Sequence, residues 1–475
     1  MFSIETNNST ARVTQHLRQL ADAAQPGARL PSVRDLMRDL GVSPVTVQRA
    51  IDILVQSGLI EARPGQGTFV REGRRAAEAA AAADFGWQSL ALGSPRTRSD
   101  GLQSLLRMPK PDVMALSLGY LPEETLPQAL LSAAGGRALR RPGVWARVPI
   151  EGLEALRAWF AAQTGDAYAA SEVTICPGTQ AANASAFRAL AQPGDPVIVE
   201  SPTYTGAIAA ATSAGLRLVP VPMDEDGIRP DLLEQAFART GARLFYCQPT
   251  FSNPTGAVLS PARRKAVLDI VTRAGAFLIE DDWARDFALD GDPPPPLASA
   301  DRNGHVVYIR SLTKCAAPGL RIGAICARGA ALERLRMARL TDDFSVPGLM
   351  QETALQLVTA ASWPKHLKAL RAELRRRRDL LVTAVRAELG EAALDHVPAG
   401  GLHLWVALPP GKSDADIARR AAAEDVLVGS GRFWFPAEPT GPFLRLSFAG
   451  AKPEWIGEAV HRLGRIIATE TTAAA

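Results

Sequence analysis

The chain has 475 residues, 47% of them apolar and 21% charged, with a formal net charge of +4. That length exceeds one hydrophobic core and predicts two or three folding units, while the small charge excludes a uniformly basic nucleic-acid binder. No apolar run approaches the roughly 20 residues that cross a bilayer, so a membrane partner is not expected.

The N-terminal residues MFSIETNNST lack the basic start and apolar stretch of a secretory signal. Cys176, Cys247, Cys315 and Cys326 form no CxxC pair. Reduced thiols in a cytoplasmic protein are expected, rather than disulfides or a metal site. Residues 1–75 hold ten Arg against seven Asp or Glu, so most of the positive excess lies at this end.

Residues 1–72 read as short helices followed by a hairpin. Ser32 is placed to cap SVRDLMRDL, Gly41 to end it, and Ser43 to cap the next helix, with Pro44 at its first position. Val47, Ala50, Ile51 and Leu54 line one face of that second helix; Thr46, Gln48 and Arg49 lie near its start on the polar side. LIEARPGQGTFV then reads as two short strands around a Pro-Gly turn. A helix–turn–helix of this kind sets the start of its second helix against base edges in the major groove.

Residues 73–112 read as a linker, with an Ala-rich run from Ala76 to Ala83 and a polar piece, GSPRTRSDG. From Val113 to the C-terminus, strand-like runs (PVIVE, LRLVPV, RLFYCQP, AFLIEDD, VVYIRS) alternate with helical stretches. This predicts an α/β domain with a largely parallel sheet over about 150–340. A smaller α+β part is expected over 341–475, with a long charged helix from His366 to Leu389, the strands GLHLWVAL and FLRLSFA, and a helix near Asp414–Ala423.

Candidate chemistry gathers at the predicted strand ends, where open α/β sheets bind ligands. Only seven residues are Lys, and Lys314 follows VVYIRS in an apolar setting that favours a neutral amine. Ser311, Thr313 and Arg321 flank it with phosphate-gripping groups. Gly178, Thr179 and Gln180 open a helix after VTICP, where free N–H groups attract phosphate. Asp281 follows AFLIE and can hold a heterocyclic nitrogen protonated; Asn253 can donate to a phenolic oxygen, and Tyr204 can stack on a ring. A lysine for a Schiff base, an acid for the pyridine nitrogen, a donor to O3′ and a phosphate cup are what pyridoxal 5′-phosphate (PLP) requires. The acidic cluster Glu280–Asp281–Asp282 also invites a metal reading, but no His or Cys lies near it in sequence.

Two resemblances fit these residues. The run RLPSVRDLMRDLGVSPVTVQRAIDILVQSGLIEARPGQGTFV resembles the winged helix–turn–helix of the GntR family. That likeness implies that Arg34 and Arg49 hold phosphates or bases, that Thr46 and Gln48 approach bases, and that Gly65 and Gly67 bring a wing near the minor groove. Family members commonly have Arg where this chain has Pro44. PGTQ, ESPTY, NPTG, EDDW and S-x-TK-x6-R, in that order, resemble fold-type I PLP-dependent aminotransferases.

Together the two parts look like the MocR/GabR subfamily of transcriptional regulators. The implications are PLP on Lys314, Arg445 for an effector carboxylate, a double-stranded DNA operator, an amino compound or PLP as effector, and a domain-swapped, head-to-tail homodimer. Trp283 stands where the family usually has Tyr, its indole N–H able to donate to the cofactor, and Gly206 where some relatives carry an Arg for the effector. The competing expectations are an aminotransferase with a fused reader and a site without PLP that acts through protein contacts.

Overall fold

The computed structural model describes residues 5–71, 85–93, 101, 108–110, 112–165 and 167–469. The chain divides into two compact units, Met1–Pro95 and Arg96–Ala475. Most of the expected linker, its Ala-rich run included, lies outside the described residues.

The first unit opens with α1 (Glu5–Ala23), α2 (Val33–Leu40) and α3 (Pro44–Gln56), followed by β1 (Ile60–Arg63) and β2 (Gly67–Val70). Ser32 caps α2 through a reciprocal pair with Asp35, and Gly41 ends it in the left-handed region at φ 63°. Ser43 caps α3, with Pro44 in its first turn. Val47, Ala50, Ile51 and Leu54 pack with Val13 and Leu17 of α1, Leu36 of α2, and Ile60 and Val70 of the antiparallel wing. The expected elements are all present, and α1 adds a 19-residue helix that the sequence reading did not single out. A further helix, α4 (Gly86–Leu92), stands inside the expected linker.

In the second unit β3 (Met114–Ala115), α5 (Gln128–Leu139) and α6 (Glu154–Ala162) precede β4 (Val173–Cys176) and α7 (Thr179–Leu190). Next come β5 (Pro196–Ser201), α8 (Thr205–Ser213), β6 (Arg217–Asp224), β7 (Gly227–Ile228), α9 (Pro230–Thr240), β8 (Leu244–Cys247), α10 (Pro261–Ala274), β9 (Phe277–Asp281), β10 (Val306–Ser311) and β11 (Gly323–Cys326). The eight-stranded sheet has the order β4-β11-β10-β9-β8-β5-β6-β7. Strands β10, β9, β8, β5 and β6 run parallel, while β11 is antiparallel to both neighbours and β7 to β6. Strands β4, β8, β10 and β11 are buried along their whole length, which is why β8 and the first four residues of β10 read as continuous apolar runs without alternation.

The remaining elements are α11 (Gly329–Asp343), α12 (Gly348–Val358), α13 (Trp363–Leu389), β12 (His403–Ala407), α14 (Asp414–Ala423), β13 (Val426–Leu427), β14 (Gly429–Ser430), β15 (Phe443–Ser447) and α15 (Pro453–Thr469). Strands β12, β15 and β14 form an antiparallel sheet that pairs Trp405 with Arg445 and His403 with Ser447. The sequence boundary at 341 omits one contributor. Strand β3, more than 300 residues earlier, pairs in parallel with β13 and so joins the smaller part. The fold thus agrees with a fold-type I aminotransferase-like arrangement behind a winged helix–turn–helix. No described helix is long and apolar enough to cross a membrane. Among the described residues no cluster of three or more metal-ligating side chains occurs.

Candidate functional site

The carboxyl ends of β4, β5, β8, β9 and β10 converge on a cavity of about 360 Å³, within the range of small-ligand sites. Thr179 and Gln180 enter it from the start of α7, and Tyr204 from the turn after β5. Asn253 comes from the loop after β8, Asp281 from the end of β9, and Ser311, Thr313 and Lys314 from β10 and the turn beyond it. Gly119, Tyr120, His403 on β12 and Arg445 on β15 complete the lining.

Lys314 Nζ donates to Gly119 O at 2.6 Å and lies 3.4 Å from the centroid of the Tyr120 ring. Burial, then the charges of Arg445 and Arg321, push its pKa down to about 7. The one lysine lining the cavity is therefore substantially neutral at physiological pH, with a nucleophilic lone pair.

Asp281 is fully buried. Its Oδ2 accepts from Tyr246 OH at 2.8 Å, Asn183 Nδ2 at 3.0 Å and Gln248 Nε2 at 3.2 Å. Its Oδ1 has no partner. Desolvation raises its pKa, against the three donors that favour the carboxylate. A buried carboxylate oxygen left without a donor is costly, and a protonated ring nitrogen supplies the donor that is missing.

Asn253 Oδ1 accepts from Trp434 Nε1 and from Arg445 Nη1, each at 3.2 Å. Those two donors fix the amide orientation and leave the NH₂ group to donate elsewhere. Gly178, at φ 89°, caps α7 where a Cβ would stand 2.8 Å from Arg321 Nη2 and 3.0 Å from Thr313 Oγ1. The Ser311 hydroxyl lies 2.8 Å from Thr313 Oγ1 and accepts from the Thr313 N–H at 3.0 Å. A cradle of free helix N–H groups, two hydroxyls and a guanidinium, closed to any side chain at Gly178, suits a phosphate. These groups fit PLP.

Arg445 is fully buried, and no carboxylate among the described residues pairs with it. Its Nη2 donates to Ser117 O at 2.6 Å, its Nη1 approaches His403 Nε2 at 3.3 Å, and its Nε has no partner. Burial draws its pKa down to about 9, leaving it cationic at neutral pH. A desolvated guanidinium with donors to spare is a receptor for an incoming anion.

One expectation needs revision. The Trp283 indole N–H is already committed to Phe251 O at 3.1 Å, so Trp283 offers the cavity an aromatic face, stacked on His403, rather than a donor. At Gly206 a Cβ would overlap the Tyr204 ring and Gln180 Oε1, so the site leaves no space for an arginine there. Sequence reasoning passed over Gly119, Tyr120, His403 and Gln248. Gln248 follows β8 and obeys the strand-end rule that found the others. His403 is one of six histidines on an ordinary-looking strand, and nothing local marks it.

In the first unit Arg34, Gln48 and Arg49 are exposed and Thr46 is half-buried. Gln48 Nε2 donates to Asp52 Oδ1 at 3.0 Å, and the Thr46 hydroxyl lies 2.9 Å from Ser43 Oγ. The turn of the wing takes positive φ at Gly65 (74°) and Gly67 (115°), which favours glycine at both. A Cβ on Gly67 would stand 3.1 Å from Arg29 Nε. Arg29 thus joins the expected wing residues as a cation beside its tip.

The family model "Aminotransferase class I and II" matches residues 111–463, and "Bacterial regulatory proteins, gntR family" matches residues 9–70. The chain is 30% identical to the uncharacterized HTH-type transcriptional regulator YdfD of Bacillus subtilis, across 93% of this chain and 92% of that protein. It is also 30% identical to the HTH-type transcriptional regulator TauR of Rhodobacter capsulatus, across 94% of each. Among solved structures, LysN, an alpha-aminoadipate aminotransferase of Thermus thermophilus complexed with N-(5'-phosphopyridoxyl)-L-leucine, matches at a TM-score of 0.75 and 31% identity. That match covers 80% of this chain and 98% of LysN.

Proposed function

Because this chain belongs to the class I and II aminotransferase family and carries a GntR-family reader ahead of that domain, we propose that it is a DNA-binding transcriptional regulator in which occupancy of a PLP site sets DNA affinity. The observation that carries this reading is a single cavity holding a neutral-leaning lysine, an unpartnered buried Asp281 Oδ1 and a buried Arg445 without an acid partner. PLP, when bound, supplies an aldehyde that reacts with amines and a protonated ring that withdraws electrons from them.

The chain's own groups divide the remaining work. Lys314 supplies the amine and can take or return a proton at Nζ. Asp281, with Oδ1 unpartnered, would hold the protonated ring nitrogen, and the Asn253 amide would donate to the phenolic oxygen. Tyr204 and Trp283 bound the ring with aromatic surface, while Thr179, Gln180, Ser311, Thr313 and Arg321 grip the phosphate. Arg445 receives the carboxylate of an amino-compound effector. Arg445 and His403 lie on the smaller part and Lys314 on the larger, so a ligand touching both biases how they pack. By linkage, any such bias that alters DNA affinity must alter ligand affinity by the same factor. A homodimer would present two readers to one operator and raise their effective concentration.

The second reading, an aminotransferase with a fused reader, draws support from Lys314, Asp281 and Arg445 lining one cavity and from the likeness to LysN. Spectral titration of the full-length protein with PLP, then with amines and amino acids, tests both. A visible band in the native protein that Lys314→Ala abolishes, followed by a change in DNA affinity with the responding amine, supports the sensor. A colourless protein in which added PLP gives no Lys314-dependent band overturns it. Sustained turnover with a 2-oxo acid at ordinary enzyme rates favours the aminotransferase.

A further inference from the structure

The first turn of α3 presents an apolar edge to solvent. Pro44 and Val45 are both exposed, Val45 to 59%. The buried face of the helix is occupied by Val47, Ala50, Ile51 and Leu54, so Val45 points away from the core of its own unit. The polar groups around it are already engaged. Ser43 Oγ accepts the Thr46 N–H at 3.3 Å and lies 2.9 Å from Thr46 Oγ1, and Gln48 Nε2 is held by Asp52. Pro44 has no N–H to offer. One turn further on, Arg49 is exposed, and i,i+4 spacing puts it on the same face as Val45.

The opening residues of the second helix in a helix–turn–helix meet base edges in the major groove. The one apolar group that a base pair presents there is the thymine C5-methyl. We infer that Val45 reads a thymine methyl in the operator, so that sequence choice at that position comes from apolar contact, with Arg49 beside it gripping the DNA by charge. The inference rests on the DNA-binding reading and is independent of what the cavity binds.

The test uses full-length protein. Duplexes are selected from a random-sequence pool, and each thymine of the selected site is then replaced singly by deoxyuridine, which removes only the methyl. Uracil at one thymine position of the recognition sequence is expected to weaken binding about fourfold, the worth of one buried methyl. Val45→Ala should bind the thymine and uracil duplexes equally while unfolding at the wild-type temperature. The inference is overturned if no uracil substitution changes affinity, or if Val45→Ala keeps the full uracil penalty. Binding that is selective but indifferent to the methyl would sink this inference alone. A protein that binds no duplex would sink the DNA-binding reading with it.

Discussion

At the scale of single residues, burial does most of the chemical work. Lys314 has its pKa lowered from 10.5 to about 7, first by desolvation and then by two arginines. The rate at which it captures PLP should therefore rise with pH up to about 7 and level off above, as followed by stopped-flow absorbance. An unshifted lysine would go on gaining about tenfold per pH unit for some three units more. The same shift has a stability consequence. Between about 7 and 10.5 the unfolded chain binds more protons than the folded one, so the ligand-free protein should lose stability as pH falls through that window.

Gly206 is a residue-scale constraint of another kind. A methyl group there would overlap Tyr204 and Gln180. Gly206→Ala should destabilise the protein by about 1–3 kcal/mol in denaturant unfolding, the usual cost of overpacking.

At the scale of elements, local rules were sufficient wherever the chain satisfied its own backbone. The capping box of α2 joins Ser32 and Asp35, with Asp35 N donating to Ser32 Oγ at 3.2 Å. Ser32→Ala should cost about 1 kcal/mol in thermal unfolding of the first unit. The same caps, with Gly41 and Pro44, made α2 and α3 legible from the sequence alone. The parallel strands were legible for a related reason, since burial on both faces produces runs such as FLIE and VVYI that few other elements explain. Strand β11 was missed. Its four residues, Gly323–Cys326, are short and weakly patterned, and their pairing with β4 and β10 depends on segments far away in the chain.

At the scale of the whole molecule, charge and ligand linkage give the measurable behaviour. If the exposed arginines of the reader neutralise about four phosphates, operator affinity should fall about a hundredfold between about 50 and about 200 mM monovalent salt. Fluorescence anisotropy across a salt series measures that slope. In the same assay, PLP or an effector amine should shift the DNA affinity of the wild type and leave Lys314→Ala unmoved, while the variant keeps its salt dependence.

The sequence by itself determined the order of the parts and the identity of the groups that react. Helix caps, buried strand runs and the residues that follow each strand are local features, and an open parallel sheet brings its strand ends to one edge whatever the detail. Lys314, Asp281, Asn253, Tyr204 and the phosphate cradle could be named for that reason. Tertiary structure alone decided which hydrogen bonds those groups have left to give. Trp283 spends its N–H on Phe251, and Asp281 keeps one oxygen without a donor. The arrival of His403, Gly119 and Tyr120 beside Lys314 was likewise settled in three dimensions. Such pairings depend on distances of about 3 Å between residues 32 to 195 positions apart, which no pattern along the chain records.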